Sequence, residues 1–238
     1  MTPDTPDAIE NGALAGLPRE DLAFLLPRLE RVDLPIRAVL ASPNVPISHA
    51  YFVQRGMISL VQPLQDGTMV EVGLIGREGF VGVPLVLGTK ADAVEAMVQI
   101  AGTALRIPAS GLQEAIRARP TLAAPLLRFA HALLVQIAQT AACNGRHNLE
   151  ERLARWLLMA GDRARDGTFQ LSHEFLSMML GARRPGITVA MGVFRRAGLI
   201  SNSHHHIAIL DRPGLEAAAC ECYATVRDKY RQLLEEGA

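Results

Sequence analysis

The sequence predicts an α+β fold: an N-terminal antiparallel β-roll of the jelly-roll type, one long helix suited to dimerisation, and a C-terminal winged helix–turn–helix. Three observations predict it. Between about 39 and 107, short apolar runs alternate with glycine turns, the pattern of many-stranded antiparallel rolls and sandwiches. From Pro120 to Ala142 the apolar spacing becomes helical. From Phe175 to Leu210 there is no Asp or Glu, yet four arginines (Arg183, Arg184, Arg195, Arg196) and three histidines, in a chain whose formal net charge is +0. That local excess of cation suits a polyanion.

The elements follow in order. Residues 1–16 read as a loosely attached arm without a basic start or an apolar secretory core. Leu17 to Val32 is expected to be a helix with Leu22, Leu25, Leu26 and Leu29 on one face. Ala50 to Val53 and Met57 to Val61 are strand runs flanking Gln54-Arg55-Gly56, and Asp66-Gly67 is a hairpin dipeptide returning as Met69 to Ile75. In the long helix, Leu126, Ala130, Leu133 and Ile137 are spaced four, three and four. They are the expected dimer seam, while Leu127, Phe129 and Leu134 make the helix apolar on two faces, one for the roll and one for a second copy. Asn148 with Glu151 forms a capping box that opens a helix containing Trp156, a core anchor. The organisation is therefore 1–118 arm and roll, 119–147 dimer helix and hinge, and 148–238 winged unit with a closing helix.

Composition limits the alternatives. With 238 residues, 49% hydrophobic and 20% charged, the chain is globular. Its apolar stretches are interrupted by Gln136, Gln139 and Thr140, so no membrane partner is expected. Cys143, Cys220 and Cys222 are an odd set without a disulfide framework, read as reduced, small apolar residues in a cytoplasmic protein. His131 and His147 read as interface or surface residues. No metal and no cofactor is expected. A jelly-roll metalloenzyme needs several converging histidines, and the sheet segment has His49 alone.

The chemistry is concentrated in the winged unit. Ser172 is an N-cap for a helix beginning at His173, Gly181-Ala182 is a tight turn, Pro185 suits the start of a second helix, and Gly198 ends it. A hairpin follows, with His204-His205-His206 at its tip. In such a unit the second helix enters the major groove by its N-terminal end. The candidate DNA-binding residues are Ser172, His173, Arg183, Arg184, Pro185, Gly186, Thr188, Val189, Arg195, Arg196 and His204. An arginine at the helix start can grip guanine O6 and N7, worth about 1–3 kcal/mol of discrimination. Arg195 and Arg196 are better placed for phosphates. The alternative is that these arginines are ordinary solvated charges.

From about residue 20 to 212 the chain resembles the Crp/Fnr superfamily of bacterial transcription regulators. The resemblance is carried by YFVQRGMISLV, VGLIGREGFVGVPLVLG, ERLARWLL and, most specifically, LGARRPGITVAMGVFRRAGLI. It implies a homodimer reading roughly palindromic double-stranded DNA, an effector roll, and RNA polymerase as a further partner. The effector pocket would fall at Gly82, Val83, Pro84, Asp92 and Ala93. Members that bind cyclic AMP have Gly-Glu-Leu at the first three positions and an Arg-Ser or Arg-Thr pair at the last two. Here a carboxylate replaces the arginine, and no arginine lies between Arg77 and Arg106, so cyclic AMP is not expected to bind in the usual way and the effector is an unidentified small molecule. No cysteine precedes Cys143, which excludes the family's N-terminal iron–sulfur mode. Pro185 replaces a glutamate common in the recognition helix and Val189 an arginine, so the DNA site should differ. A sensor roll acting on a protein partner is the alternative reading.

Overall fold

Two long antiparallel strands are the spine of the N-terminal half. The computed structural model describes residues 9–164, 167–203 and 206–235. Strand β1 (Glu30–Leu34), β2 (Val39–Ala41), β3 (His49–Pro63), β4 (Met69–Ile75), β5 (Phe80–Val81) and β6 (Glu95–Pro108) form one antiparallel sheet. Its order is β1-β6-β3-β4, with β2 added on β6 and β5 on β3. Gln54-Arg55-Gly56 does not separate two strands: it is an irregularity within β3, where the register against β6 shifts. The Asp66-Gly67 hairpin forms as expected, with Thr68 N–H and hydroxyl both donating to the Asp66 carboxylate.

Two N-terminal expectations are corrected. The arm is docked from its first described residues onward. Asn11 is fully buried, caps the short helix α1 (Gly12–Ala15), and donates to the carbonyls of Val53 at 2.8 Å and Gly79 at 2.7 Å. The expected helix from Leu17 to Val32 shrinks to α2 (Arg19–Leu25) and a 3-10 turn, Leu26–Arg28. Pro27 removes a helical N–H donor, and the next residues alternate between polar and apolar and pair with β6 as β1.

After β5 comes the one-turn helix α3 (Val83–Val86), and after β6 come α4 (Ala109–Ala118) and the long helix α5 (Ala123–Arg146). Helix α5 lies on the roll through a contact that only glycine permits. A Cβ on Gly79 would sit 1.9 Å from ring atoms of Phe129, which is itself fully buried and stacked against Phe80. About two turns further on, buried Gln136 behaves as a strand partner, accepting from Leu74 N–H at 2.6 Å and donating to the Leu74 carbonyl at 3.1 Å.

The C-terminal part comprises α6 (Leu149–Gly161), β7 (Thr168–Gln170), α7 (His173–Met179), α8 (Arg184–Arg196), β8 (Ile200–Ser203), β9 (His206–Ile209), α9 (Arg212–Ala218) and α10 (Cys222–Glu235). The Asn148–Glu151 capping box opens α6 as expected. Strand β7, not anticipated, pairs with β9 to make the wing sheet three-stranded, in the order β7-β9-β8. The closing helix α10 returns to pack along α5, with the Tyr230 hydroxyl accepting from Gln136 at 2.6 Å.

Helix α6 is fixed to the roll by polar contacts. Trp156 Nε1 donates to Glu71 at 2.7 Å, and Arg163 Nε donates to Glu78 at 2.9 Å. Trp156 is thus a core anchor with its N–H satisfied by a buried carboxyl. Burial pushes Glu71 up from 4.5 to about 7, against hydrogen bonds from Ser59 and Trp156 and the charges of Arg155 and Arg163 that favour the ionised form.

Two outcomes are expected. Gly79→Ala should cost about 1–3 kcal/mol by forcing the Phe129 ring away, seen as a fall in Tm. Combined with Phe129→Ala, which opens a cavity, the two losses should be clearly less than additive; simple additivity would show that the ring and the glycine do not constrain each other. The raised Glu71 carboxyl means the folded state holds its proton more tightly than the unfolded chain. Its contribution is therefore intact below pH 4.5 and is lost as pH rises through about 7. Glu71→Gln keeps an acceptor for Trp156 and should flatten the pH dependence of Tm between about 5 and 8; parallel curves for the two proteins would rule this out.

Candidate nucleic-acid interface and effector cavity

The DNA-reading candidate is built from two helix starts and a strand. Ser172 caps α7, its hydroxyl accepting from Phe175 N–H at 3.1 Å. The turn into α8 needs a left-handed residue, and Gly181 supplies it at φ +56. Helix α8 buries Ile187, Ala190, Met191 and Phe194 at helical spacing, which fixes its rotation on the rest of the unit. Its other face is exposed and carries Arg184, Pro185, Thr188, Val189, Val193, Arg195 and Arg196, with Arg183 exposed at the N-cap.

This face is electrostatically open. Among the described residues, no carboxylate lies within ion-pair distance of Arg183, Arg184, Arg195 or Arg196, unlike Arg106, paired with Glu30, Arg119 with Asp21 and Arg163 with Glu78. Arg183 makes no side-chain cap to α8; its carbonyl accepts from Gly186 N–H at 3.0 Å and Ile187 N–H at 3.3 Å, and Pro185 has no N–H. Arg184 and Arg195 are separated by about 16 Å along the helix at 1.5 Å per residue. One end therefore suits base edges and the other the sugar–phosphate backbone.

Three sequence candidates take a different place. Both ring nitrogens of His173 are engaged inside the unit: Nδ1 with the Thr188 hydroxyl at 3.1 Å and Nε2 with the Asn202 amide at 3.0 Å. The Thr188 hydroxyl in turn donates to the Arg184 carbonyl at 3.1 Å. His173 therefore ties α7, α8 and β8 together. Gly186 is half-buried against Leu149. Asn202 was missed because a polar residue in a hairpin carries no sequence signal of its partner 29 residues earlier. His204 lies outside the described residues. The exposed Val189 (61%) and Val193 (40%) add an apolar stripe suited to thymine methyl groups.

The four residues expected to form the seam do not lie on the exposed side of α5. Leu126, Ala130 and Leu133 are buried within the chain, and Ile137 is half-buried, because Phe129 and Gln136 turn that side of α5 onto the roll. The exposed side instead carries Ala124, Leu127, His131, Leu134, Ala138 and Ala141, at alternating steps of three and four. Pro120–Arg146 is, contrary to expectation, long and apolar enough to cross a bilayer by length and composition; here its apolar residues are divided between the roll and this exposed seam.

A cavity of about 560 Å³ lies between the roll and α5. Of the expected pocket residues, Gly82, Val83, Pro84 and Asp92 line it, while Ala93 does not and is exposed. Leu60, Val72, Leu133 and Ile137 are among the apolar residues that make most of its wall, and the polar lining is Thr89, Asp92 and His131. No Lys or Arg is among its lining residues.

Comparison with known proteins supports these two halves. The cyclic nucleotide-binding domain family matches residues 31–119, and the Crp-like helix-turn-helix domain family matches residues 151–218. The global nitrogen regulator of Synechocystis sp. is 24% identical over 176 residues, covering 70% of this chain and 78% of that protein. The fold is similar to that of FixK2 from Bradyrhizobium japonicum (TM-score 0.69, 18% identity, 81% of this chain and 98% of that chain). It is also similar to a Crp/Fnr-family protein of Eubacterium rectale (TM-score 0.67, 16% identity, 86% of this chain and 95% of that chain). The chain belongs to the Crp/Fnr superfamily of bacterial transcription regulators and is not an enzyme.

Proposed function

We propose that the protein is a homodimer that reads a roughly palindromic DNA site through α8 and is controlled by a small, largely uncharged ligand in the roll cavity. The observation that carries the reading is the exposed face of α8, where four arginines have no carboxylate partner among the described residues. A protein of zero net charge gains DNA affinity only through such a patch. Arg183 and Arg184 are the base-reading pair; Arg195 and Arg196 contact phosphates; Ser172 holds backbone; Val189 reads shape and methyl groups. His173 and Thr188 position the helix. Two copies paired along the Leu127–Leu134 seam would present their α8 helices to successive major grooves about 34 Å apart.

The cavity supports an effector other than cyclic AMP. A cyclic phosphate placed there would meet the Asp92 carboxylate and no Lys or Arg from the lining, a repulsive arrangement. Its aliphatic wall favours an uncharged ligand. Because Leu127 and Leu134 line both the cavity rim and the exposed seam, an occupant would touch the helix that pairs the subunits.

Selection of bound DNA from a random library with the purified protein should return one inverted repeat, with unchanged affinity when cyclic AMP is added. Arg184→Ala should then cost about 1–3 kcal/mol and relax preference at one position of each half-site. Arg195→Ala or Arg196→Ala should weaken all sequences alike and lower the salt slope by about one unit each. Recovery of no preferred sequence, or no effect from any of the three, would reject the assignment. Separately, Leu127→Lys with Leu134→Lys should yield a folded monomer by light scattering, while Leu133→Lys should unfold the roll contact; a dimer surviving the double lysine change would place the subunit interface elsewhere.

A further inference from the structure

The three cysteines are not scattered apolar fillers. Cys143, on the last turns of α5, faces Cys220 with 3.5 Å between sulfurs, and Cys222, at the start of α10, faces His147 Nδ1 at 3.5 Å. All four donor atoms lie within 4.8 Å of one another. The three thiols are buried and form a cluster of their own, apart from the continuous apolar core. From these observations we infer that Cys143, His147, Cys220 and Cys222 form a structural zinc site that pins the C-terminal helix to the end of α5.

The donor set and spacing fit the ion. Zinc takes four ligands in a tetrahedron with Zn–S near 2.3 Å and Zn–N near 2.0–2.1 Å, which implies edges of about 3.8 Å between sulfurs and about 3.5 Å between sulfur and nitrogen. The observed 3.5 Å separations are within a few tenths of an ångström of these edges. The ligands come as Cys-x3-His across the end of α5, where His147 is the C-cap and its N–H donates to the Cys143 carbonyl, and as Cys-x-Cys. Three thiolates and an imidazole are a closed, soft set, which favours zinc over magnesium or calcium.

The surroundings are those of a ligated site. His147 Nε2 lies 3.2 Å from the Glu221 carboxylate, so that nitrogen carries the donated proton and Nδ1 keeps its lone pair towards the sulfurs. Gln139 Nε2 donates to Cys222 Sγ at 3.0 Å, an interaction that strengthens when the sulfur is a thiolate. Zinc with three thiolates leaves one net negative charge. The buried Arg155 guanidinium, held by Thr140 at 2.9 Å one helical turn before Cys143, is placed to offset it. The site joins residues 77 apart in sequence and acts with the Gln136–Tyr230 contact to hold α10 along α5.

The test uses the full-length protein purified under reducing conditions. Elemental analysis should find about one zinc per chain, and exchange for cobalt should give the visible absorption of a tetrahedral site with sulfur-to-metal charge transfer. Cys143→Ser and Cys222→Ser should each abolish tight zinc binding, and His147→Cys should retain it. Glu221→Gln should leave the protein folded but weaken zinc affinity by about 10–100-fold. The proposal is overturned by a folded wild-type protein with no zinc and no cobalt spectrum, by a Cys143–Cys220 disulfide in its place, by iron with labile sulfide, or by zinc retained after Cys220→Ser with Cys222→Ser.

Discussion

The seating of α5 on the roll is the constraint from which the remaining features follow. Phe129 occupies the space that a side chain at Gly79 would fill, and Gln136 satisfies both backbone groups of Leu74. The ring contact fixes the helix's height on the sheet, and the amide, whose donor and acceptor would be costly to leave unpaired, fixes its rotation. With height and rotation set, one apolar stripe closes the cavity, a second remains exposed as a continuous seam, and the helix end delivers Cys143 and His147 to Cys220 and Cys222.

Charge is distributed by a different rule. Some arginines outside the reading unit are cancelled locally at the surface, Arg212 by Asp162 and Glu216, Arg55 by Glu10, Arg106 by Glu30. Exposed pairs of this kind add little stability, typically below about 1 kcal/mol. What sets α8 apart in a neutral chain is that four exposed arginines share one helix with no acid between Phe175 and Leu210. Specific recognition is then a matter of local geometry, because His173 holds Thr188 and Asn202 and so fixes where Arg184 projects.

The roll and the reading unit are not independent pieces. Glu71 and Glu78 on the roll accept from Trp156 on α6 and from Arg163 just past its end, and α10 lies back on α5. A change at the cavity can therefore reach the reading helix through packed elements that have a definite arrangement, as population shift between arrangements requires. The cavity lining carries the Asp92 carboxylate, which accepts from the Ala93 N–H at 2.7 Å, and no Lys or Arg.

The sequence by itself determined the fold class, the Asp66-Gly67 hairpin, the Asn148 and Ser172 caps, the two helices of the reading unit and their arginines. Each of these is written in local chemistry: a period, a cap, a turn dipeptide, an absence of acid. Periodicity also showed that α5 has two apolar stripes, but it could not say which one meets the roll, since Leu126 and Leu127 are equally apolar and only the fit of Phe129 against Gly79 distinguishes them. The helix expected through Val32 failed for a similar reason, because pairing with β6 outweighed a leucine-rich helical spacing. Tertiary structure alone decided the engagement of His173, the burial of Asn11, and the meeting of Cys143 and His147 with Cys220 and Cys222. Those contacts join residues far apart along the chain, and no short window of sequence carries the geometry that brings them together.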